Sequence, residues 1–464
     1  MSLVVRRSLA SIGRRILPLL LVGAALLPVA CGPINGETGA FVQQPTTNTD
    51  FLAEQTVPLG NLPTTMDITT SGGVLDLVAA VNNISDTPLN PDGSFNYSGT
   101  VTILQNTAGT FSTLATLTTQ QFPTVAKWAD FAGNGSSLDL VMLDNLNKHL
   151  AVYCGTPGTP PTWSNTPSYE VSFSHSVQQM SIADLNADGK PDVVLTVPAD
   201  DIIYSLLNAG TGCGASMFSE PTTTAQAGLT MFIAADLDGD GKPDLALLNG
   251  STTLMELWKG AGDGTFTQTF TTNTISLTSR PISIVSGKFT GSASTDLAVL
   301  SDTGNTDTSD IRIYANNGTG TLSASNTIHA YQRPKNLYVL NDVTGAGSID
   351  LGVTHTNQRF LSILKHNGGN SYTLSQPETT RNPTAIEAGD IDGDGIADLV
   401  TTESTRRVIG VFRSDGSGGL TRTQIGLLTE PTFPRLVDVN GDAKLDLIVL
   451  EPNSDKLGVF LNAH

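Results

Sequence analysis

Basic residues are scarce in this chain: 24 lysines and arginines stand against 43 aspartates and glutamates, for a net charge of −19. Four of those cations, Arg6, Arg7, Arg14 and Arg15, belong to the N-terminal leader. The remaining acidic body repels a phosphate backbone, which excludes DNA and RNA as partners and favours cations. Charged residues of both signs make up only 14% of the sequence, too few for a coiled coil, while 39% apolar residues are too many for a disordered chain. Long apolar runs are missing too. The stretch from Ile16 to Leu27 is shorter than the roughly 20 residues that cross a bilayer, and no other segment could span one. There is no GxSxG, HExxH, P-loop or CxxC pattern, and the six histidines show no ligand spacing, which leaves nucleophilic and zinc chemistry without support. His355 and His366 read as exposed strand residues. Trp128 and Trp258 read as packing between strands, and Trp163, after Pro160 and Pro161, as a loop residue open to a ligand.

What is present begins with an address. A basic start, a short apolar core and Pro-Val-Ala before Cys31 mark residues 1–30 as a secretory signal. The run LLPVAC resembles the lipobox of bacterial lipoproteins, which implies lipidation of Cys31 and contact with a membrane through that anchor alone. Gly32 supplies no acidic retention signal, so the outer membrane is the preferred destination. Residues 31–50, rich in Thr, Asn, Gly and Gln, read as a flexible tether reaching about 25 Å. Cys154 and Cys213 are then left over. Export permits a disulfide between them, and two separate buried thiols are the alternative.

The dominant feature is repetition. Eight related segments begin at Asp67, Asp130, Asp184, Asp236, Lys288, Asp342, Asp390 and Asp438, and each closes on an aspartate followed by an apolar run. Four strand-like runs surround every segment, as in MFIAAD, PDLALL, LMELWKG and TFTQTF of the fourth copy. Four short strands in roughly 50 residues make a propeller blade. Gly-rich turns such as GAGDG (260–264), NNGTG (316–320) and SDGSGG (414–419) fall where the third strand must reverse into the fourth. The last copy is one strand short, and FLAEQTVPLG (51–60) supplies the missing strand from the other end of the chain, which removes a sheet edge. The expectation is an all-β, eight-bladed β-propeller of four-stranded blades over residues 51–464, with seven blades as the alternative.

Four of the copies place oxygen ligands at loop positions 1, 3, 5 and 9. These are Asp184, Asn186, Asp188 and Asp192; Asp236, Asp238, Asp240 and Asp244; Asp390, Asp392, Asp394 and Asp398; and Asp438, Asn440, Asp442 and Asp446. Three or four carboxylates within nine residues repel one another unless a cation sits among them. Hard oxygen donors in a flexible loop, completed by the position-7 carbonyls of Lys190, Lys242, Ile396 and Lys444, suit Ca²⁺ better than Mg²⁺. Gly189, Gly241 and Gly395 provide the bend at position 6; Ala443 stands there in the last copy, which predicts a weaker site. In the other four copies the set is incomplete, and Lys288 offers an ammonium in place of the ion.

The loops imitate the start of an EF-hand but lack its position-12 glutamate, and strands flank them. Their DxDGDGxxD pattern, repeated in register, resembles the FG-GAP or VCBS repeat family, the β-propellers of integrin α-chain heads, some fungal lectins and many exported bacterial proteins. That resemblance implies calcium between the first two strands of a blade, held by the four complete sets. Arg280, Arg333 and Arg381 precede the first strands of three consecutive blades, on the rim opposite the loops, where they read as a ligand-binding arc for carboxylates. The expected function is that of a monomeric, calcium-stabilised module binding protein or glycan on the bacterial envelope. The alternative is a propeller-type polysaccharide lyase acting on acidic glycans, with Tyr331 and Lys335 beside Arg333 as its nearest base cluster.

Overall fold

The structure is a computed structural model. It describes residues 46–82, 99–118, 123–135, 138–145, 147–210, 212–250, 252–303, 309–330, 333–345, 347–369 and 371–464. The signal sequence, Cys31, most of the expected tether and Tyr331 lie outside those residues.

Eight four-stranded antiparallel units follow one another along the chain. Blade 1 runs from Pro63 to Thr118, blade 2 from Pro123 to Ser172, blade 3 from Gln179 to Ala225 and blade 4 from Leu229 to Ser276. Blade 5 spans Arg280–Ala330, blade 6 Pro334–Ser375, blade 7 Ala385–Gly426 and blade 8 Thr432–Phe460. In blades 2 to 8 the second strand opens on the closing aspartate and is buried along all or nearly all of its length, as in Asp192–Val197, Asp398–Glu403 and Asp446–Glu451. Burial in such strands is continuous rather than alternating because a neighbouring blade covers each face of the sheet. The fourth strand alternates with solvent, as Tyr169–Ser172 does.

The core is divided into eight clusters, one for each seam between adjacent blades. At the closing seam, Ile448, Leu450 and Val459 of blade 8 pack on Leu75, Val78 and Leu104 of blade 1. Each such fully buried side chain contributes about 1.5–3 kcal/mol, so the ring is held by its seams. A complete blade 1 rules out the seven-bladed arrangement. The expected closure is also present: Gln55–Pro58 forms the outer strand of blade 8, with Gln55 opposite Val459 and Thr56 opposite Gly458.

Several details differ from expectation. The tether is docked by its last residues: the Thr47 and Asn48 amides donate to the Gln424 carbonyl, and buried Asp50 pairs with Arg413 and with His464. In blade 4 the fourth strand is split into Phe266–Thr267 and Thr274–Ser276, both paired to Leu254–Gly260. His355 and His366 are buried, not exposed, because the second and third strands of blade 6 are buried along their whole length. His355 Nε2 meets Ser362 Oγ at 2.9 Å, and His366 Nε2 donates to the Gly369 carbonyl at 2.7 Å. Trp163 stands on a short hairpin strand and is committed to packing: its ring lies 5.9 Å from that of Trp128, and Nε1 donates to the Leu138 carbonyl at 2.8 Å. Trp128 is buried as expected, while Trp258 is half-buried with Nε1 on Glu256. Cys154 and Cys213 form a disulfide, which ties blade 2 to the turn after the third strand of blade 3.

Candidate metal centres

All four complete acid sets lie between the first and second strands of their blades, on one rim of the ring. The backbone of each loop wraps around its position-1 carboxylate. Asp236 Oδ1 accepts from the Gly239 amide at 2.7 Å and Oδ2 from the Gly241 amide at 3.0 Å. Asp390 takes the Gly393 and Gly395 amides in the same way, Asp438 those of Gly441 and Ala443, and Asp184 those of Asp188 and Gly189. Position 6 requires a left-handed backbone, with φ of +82° to +87° at Gly189, Gly241 and Gly395 and +65° at Ala443. A side chain there is strained, which agrees with glycine in the other three loops.

The closing aspartate does a second job. Asp244 is fully buried, and its two oxygens accept from the Leu237 and Gly260 amides, both at 2.9 Å. Asp192, Asp398 and Asp446 are bonded alike, to Leu185 and Asn208, Ile391 and Ser414, and Val439 and Asn462. The incomplete loops keep this arrangement at Asp139, Asp296 and Asp350. Each of the seven thus clamps the loop to the end of the third strand. Burial, helped by nearby loop acids and opposed by those amides, raises the pKa of Asp192, Asp244 and Asp398 to about 6.

The third-strand residues involved are ones that sequence reasoning missed. Asn208 gives its amide to Asp192 and its side chain to the Phe131 carbonyl of blade 2, at 2.9 Å. Asn316, Ser414 and Asn462 reach back to Leu237, Val343 and Ile391 in the same way, and Asn106 crosses the closing seam to Val439. The available signal was an Asn or Ser two residues before a turn glycine, as at Asn208, Asn316 and Ser414.

The donor sets fit a hard divalent ion. In blade 4, oxygens of Asp236, Asp238 and Asp244 lie within 4.8 Å of one another, and in blade 7 those of Asp390, Asp392 and Asp398 do. Oxygens around one Ca²⁺ at 2.3–2.6 Å are separated by no more than about 5 Å. Blades 3 and 8 hold a neutral amide at position 3, Asn186 or Asn440, and so carry less charge. A third grouping, Asp139 with Cys154 and Cys213, is no metal site, because its sulfurs are bonded to each other. Side-chain cations also reach the two richest loops from matching places on the third strand. Lys259 contacts Asp238 and, at 3.1 Å, Asp240, while Arg413 contacts Asp392 at 3.2 Å. Lys288 forms no ion pair among the described residues; the cations that reach acid loops from a third strand are Lys259 and Arg413.

Arg280 opens the first strand of blade 5, Arg333 immediately precedes that of blade 6, and Arg381 precedes that of blade 7. All three are exposed on the rim opposite the loops, and none forms an ion pair among the described residues. Lys335 is likewise exposed on blade 6.

A family model described as an FG-GAP-like repeat matches residues 184–247, 236–299 and 390–449, which are the blades with complete loops and the strands after them. A search among curated proteins finds no match. Among solved structures, Sqt1 from Chaetomium thermophilum superposes with a TM-score of 0.59 at 9% identity, over 89% of this chain and 100% of that one. The Dos1 propeller gives a TM-score of 0.54 at 10% identity, over 86% of this chain and 95% of that one. At such identities the likeness concerns the fold alone.

Proposed function

As this chain is a β-propeller of FG-GAP-like repeats, we propose that it is a calcium-stabilised interaction module of the bacterial envelope, without catalytic activity of its own. The observation that carries the reading is the division of labour between its two rims. One rim gathers every complete acid set, with three carboxylates converging in blades 4 and 7. The other presents Arg280, Arg333 and Arg381 on consecutive blades, exposed and without acidic partners among the described residues. Calcium would be held by the sixteen side chains of the four complete sets and by the carbonyls of Lys190, Lys242, Ile396 and Lys444. When bound, it neutralises acids that otherwise repel one another. The chain's own part is to fold each loop around its first aspartate and anchor it through the last.

The arginine rim is the ligand face, and its chemistry suits a polymer bearing carboxylates, such as a uronate-containing polysaccharide. Export through residues 1–30 and a lipid on Cys31 would display that face at the envelope, with the outer membrane preferred. Calorimetry with Ca²⁺ should find four sites, those of blades 4 and 7 filling first. A glycan array probed with and without chelator should show binding to acidic glycans that the triple change Arg280→Ala, Arg333→Ala and Arg381→Ala removes. Undiminished glycan binding by that variant would reject the arginine face, and a protein that takes up no calcium would reject the metal.

A further inference from the structure

Blade 7 contains a guanidinium site built for one of its own side chains. Arg422, on the fourth strand, donates from Nη2 to Glu403 Oε1 at 2.9 Å and from Nη1 to Gln424 Oε1 at 3.1 Å. Its Cζ lies 5.8 Å from the centre of the Phe412 ring. Glu403 is wholly buried, and Gly410 leaves the space its carboxylate occupies.

Strand register maps this site onto blade 2. In blade 7, Thr401, Gly410 and Gln424 lie opposite one another, and Leu399 faces Phe412, which faces Arg422. In blade 2, Met142, Ala151 and Glu170 lie opposite one another, and Leu140 faces Tyr153. Asp144 therefore stands in the place of Glu403, Glu170 in that of Gln424 and Tyr153 in that of Phe412. The place of Arg422, two residues before Glu170, falls to Ser168, which carries no charge. A cavity of about 320 Å³ opens there, lined by Asp144, Glu170, Tyr153 and His149, with Met142 and Ala151 among its apolar walls.

The cavity is under-supplied with donors. Elsewhere in this layer the chain answers each acid: Glu256 of blade 4 receives Gln226, Gln268 and Trp258, and Glu451 of blade 8 receives Lys456 and Thr429. In blade 2, Asp144 receives Asn147, while Glu170 has His149 at 3.4 Å. Tyr153 is only 6% exposed, and its hydroxyl has no hydrogen-bond partner among the described residues. Two carboxylates, an aromatic ring and an unpartnered hydroxyl around a partly apolar space are the elements that recognise a flat cation on an aliphatic stem.

We propose that the blade 2 cavity binds a guanidinium group carried on a short apolar chain. The test is calorimetric titration of the signal-free protein with butylguanidinium and with N-acetyl-arginine methylamide, using butanol as the uncharged control. Both cations should bind with Kd between about 10 µM and 1 mM; the tighter of the two tells whether a free guanidine or an arginine side chain is the source. Glu170→Gln, at a position with a mostly exposed side chain, should keep the melting temperature and weaken binding at least about tenfold. Ser168→Arg, which supplies in cis the cation that blade 7 has, should block the cavity. The proposal is overturned if the folded protein binds neither cation at about 10 mM, if butanol binds as well, or if both variants bind like the parent.

Discussion

Blades 3 and 4 and, directly across the ring, blades 7 and 8 carry complete acid loops, whereas blades 1, 2, 5 and 6 do not. The two groups nevertheless share their loop anchor. Asp296 and Asp350, in loops with no acid cluster, are buried and doubly bonded to backbone amides just as Asp244 and Asp398 are. The closing aspartate thus serves the fold with or without an acid cluster around it, whereas positions 1, 3 and 5 distinguish the loops proposed to hold the ion. The fourfold recurrence that suggested metal is therefore better counted on those first three positions than on the ninth.

The sharpest break of this comparison is Asp296→Ala. It leaves two backbone amides, the buried one of Asn316 and the half-buried one of Thr290, without acceptors, and should cost about 2–4 kcal/mol in urea unfolding, by the same amount with and without calcium. A calcium-dependent loss there would show that the anchor and the ligands are not separable. Asp238→Asn should behave oppositely. With calcium at about one hundred times its Kd, the variant should lose up to about 2.7 kcal/mol, and in chelator it should match the parent or exceed it.

Acidity separates the groups as well. Folding raises Asp192, Asp244 and Asp398 to about 6, so between the unfolded value near 4 and that value the folded state holds more protons. Their contribution to stability is then fully present below about pH 4 and is lost as pH rises through 6. The calcium-free protein should melt a few degrees higher at pH 5 than at pH 7, and saturating calcium should reverse the order, because protonation competes with the ion. The smallest effect belongs to Ala443→Gly. Relief at a left-handed position should add about 0.5–1 kcal/mol and tighten calcium at blade 8, as read by calorimetry.

The blades, their closure by residues 55–58 and the positions of the acid loops were legible because each is written in a local pattern that recurs about every 50 residues. What stayed hidden depends on the next blade. His355 and His366 looked like solvent-facing residues, since alternation within a strand does not say that both faces will be covered. The Cys154 to Cys213 disulfide could not be chosen over free thiols, as spacing says nothing of how two turns lean together. Arg422 and Glu403 lie 19 residues apart on the second and fourth strands, and only strand pairing shows that they meet. The same pairing, moved to blade 2, exposes the place where the arginine is missing.

Joining Gln55 to Val459 has a consequence in time. The Gln55 segment is translated well before its partner at Val459, so no chain that stops short of Val459 contains a finished circle. An interrupted chain is an arc with two bare β-edges, the form most prone to pair with its neighbours. For this molecule, closure of the ring and protection from aggregation arrive in a single step.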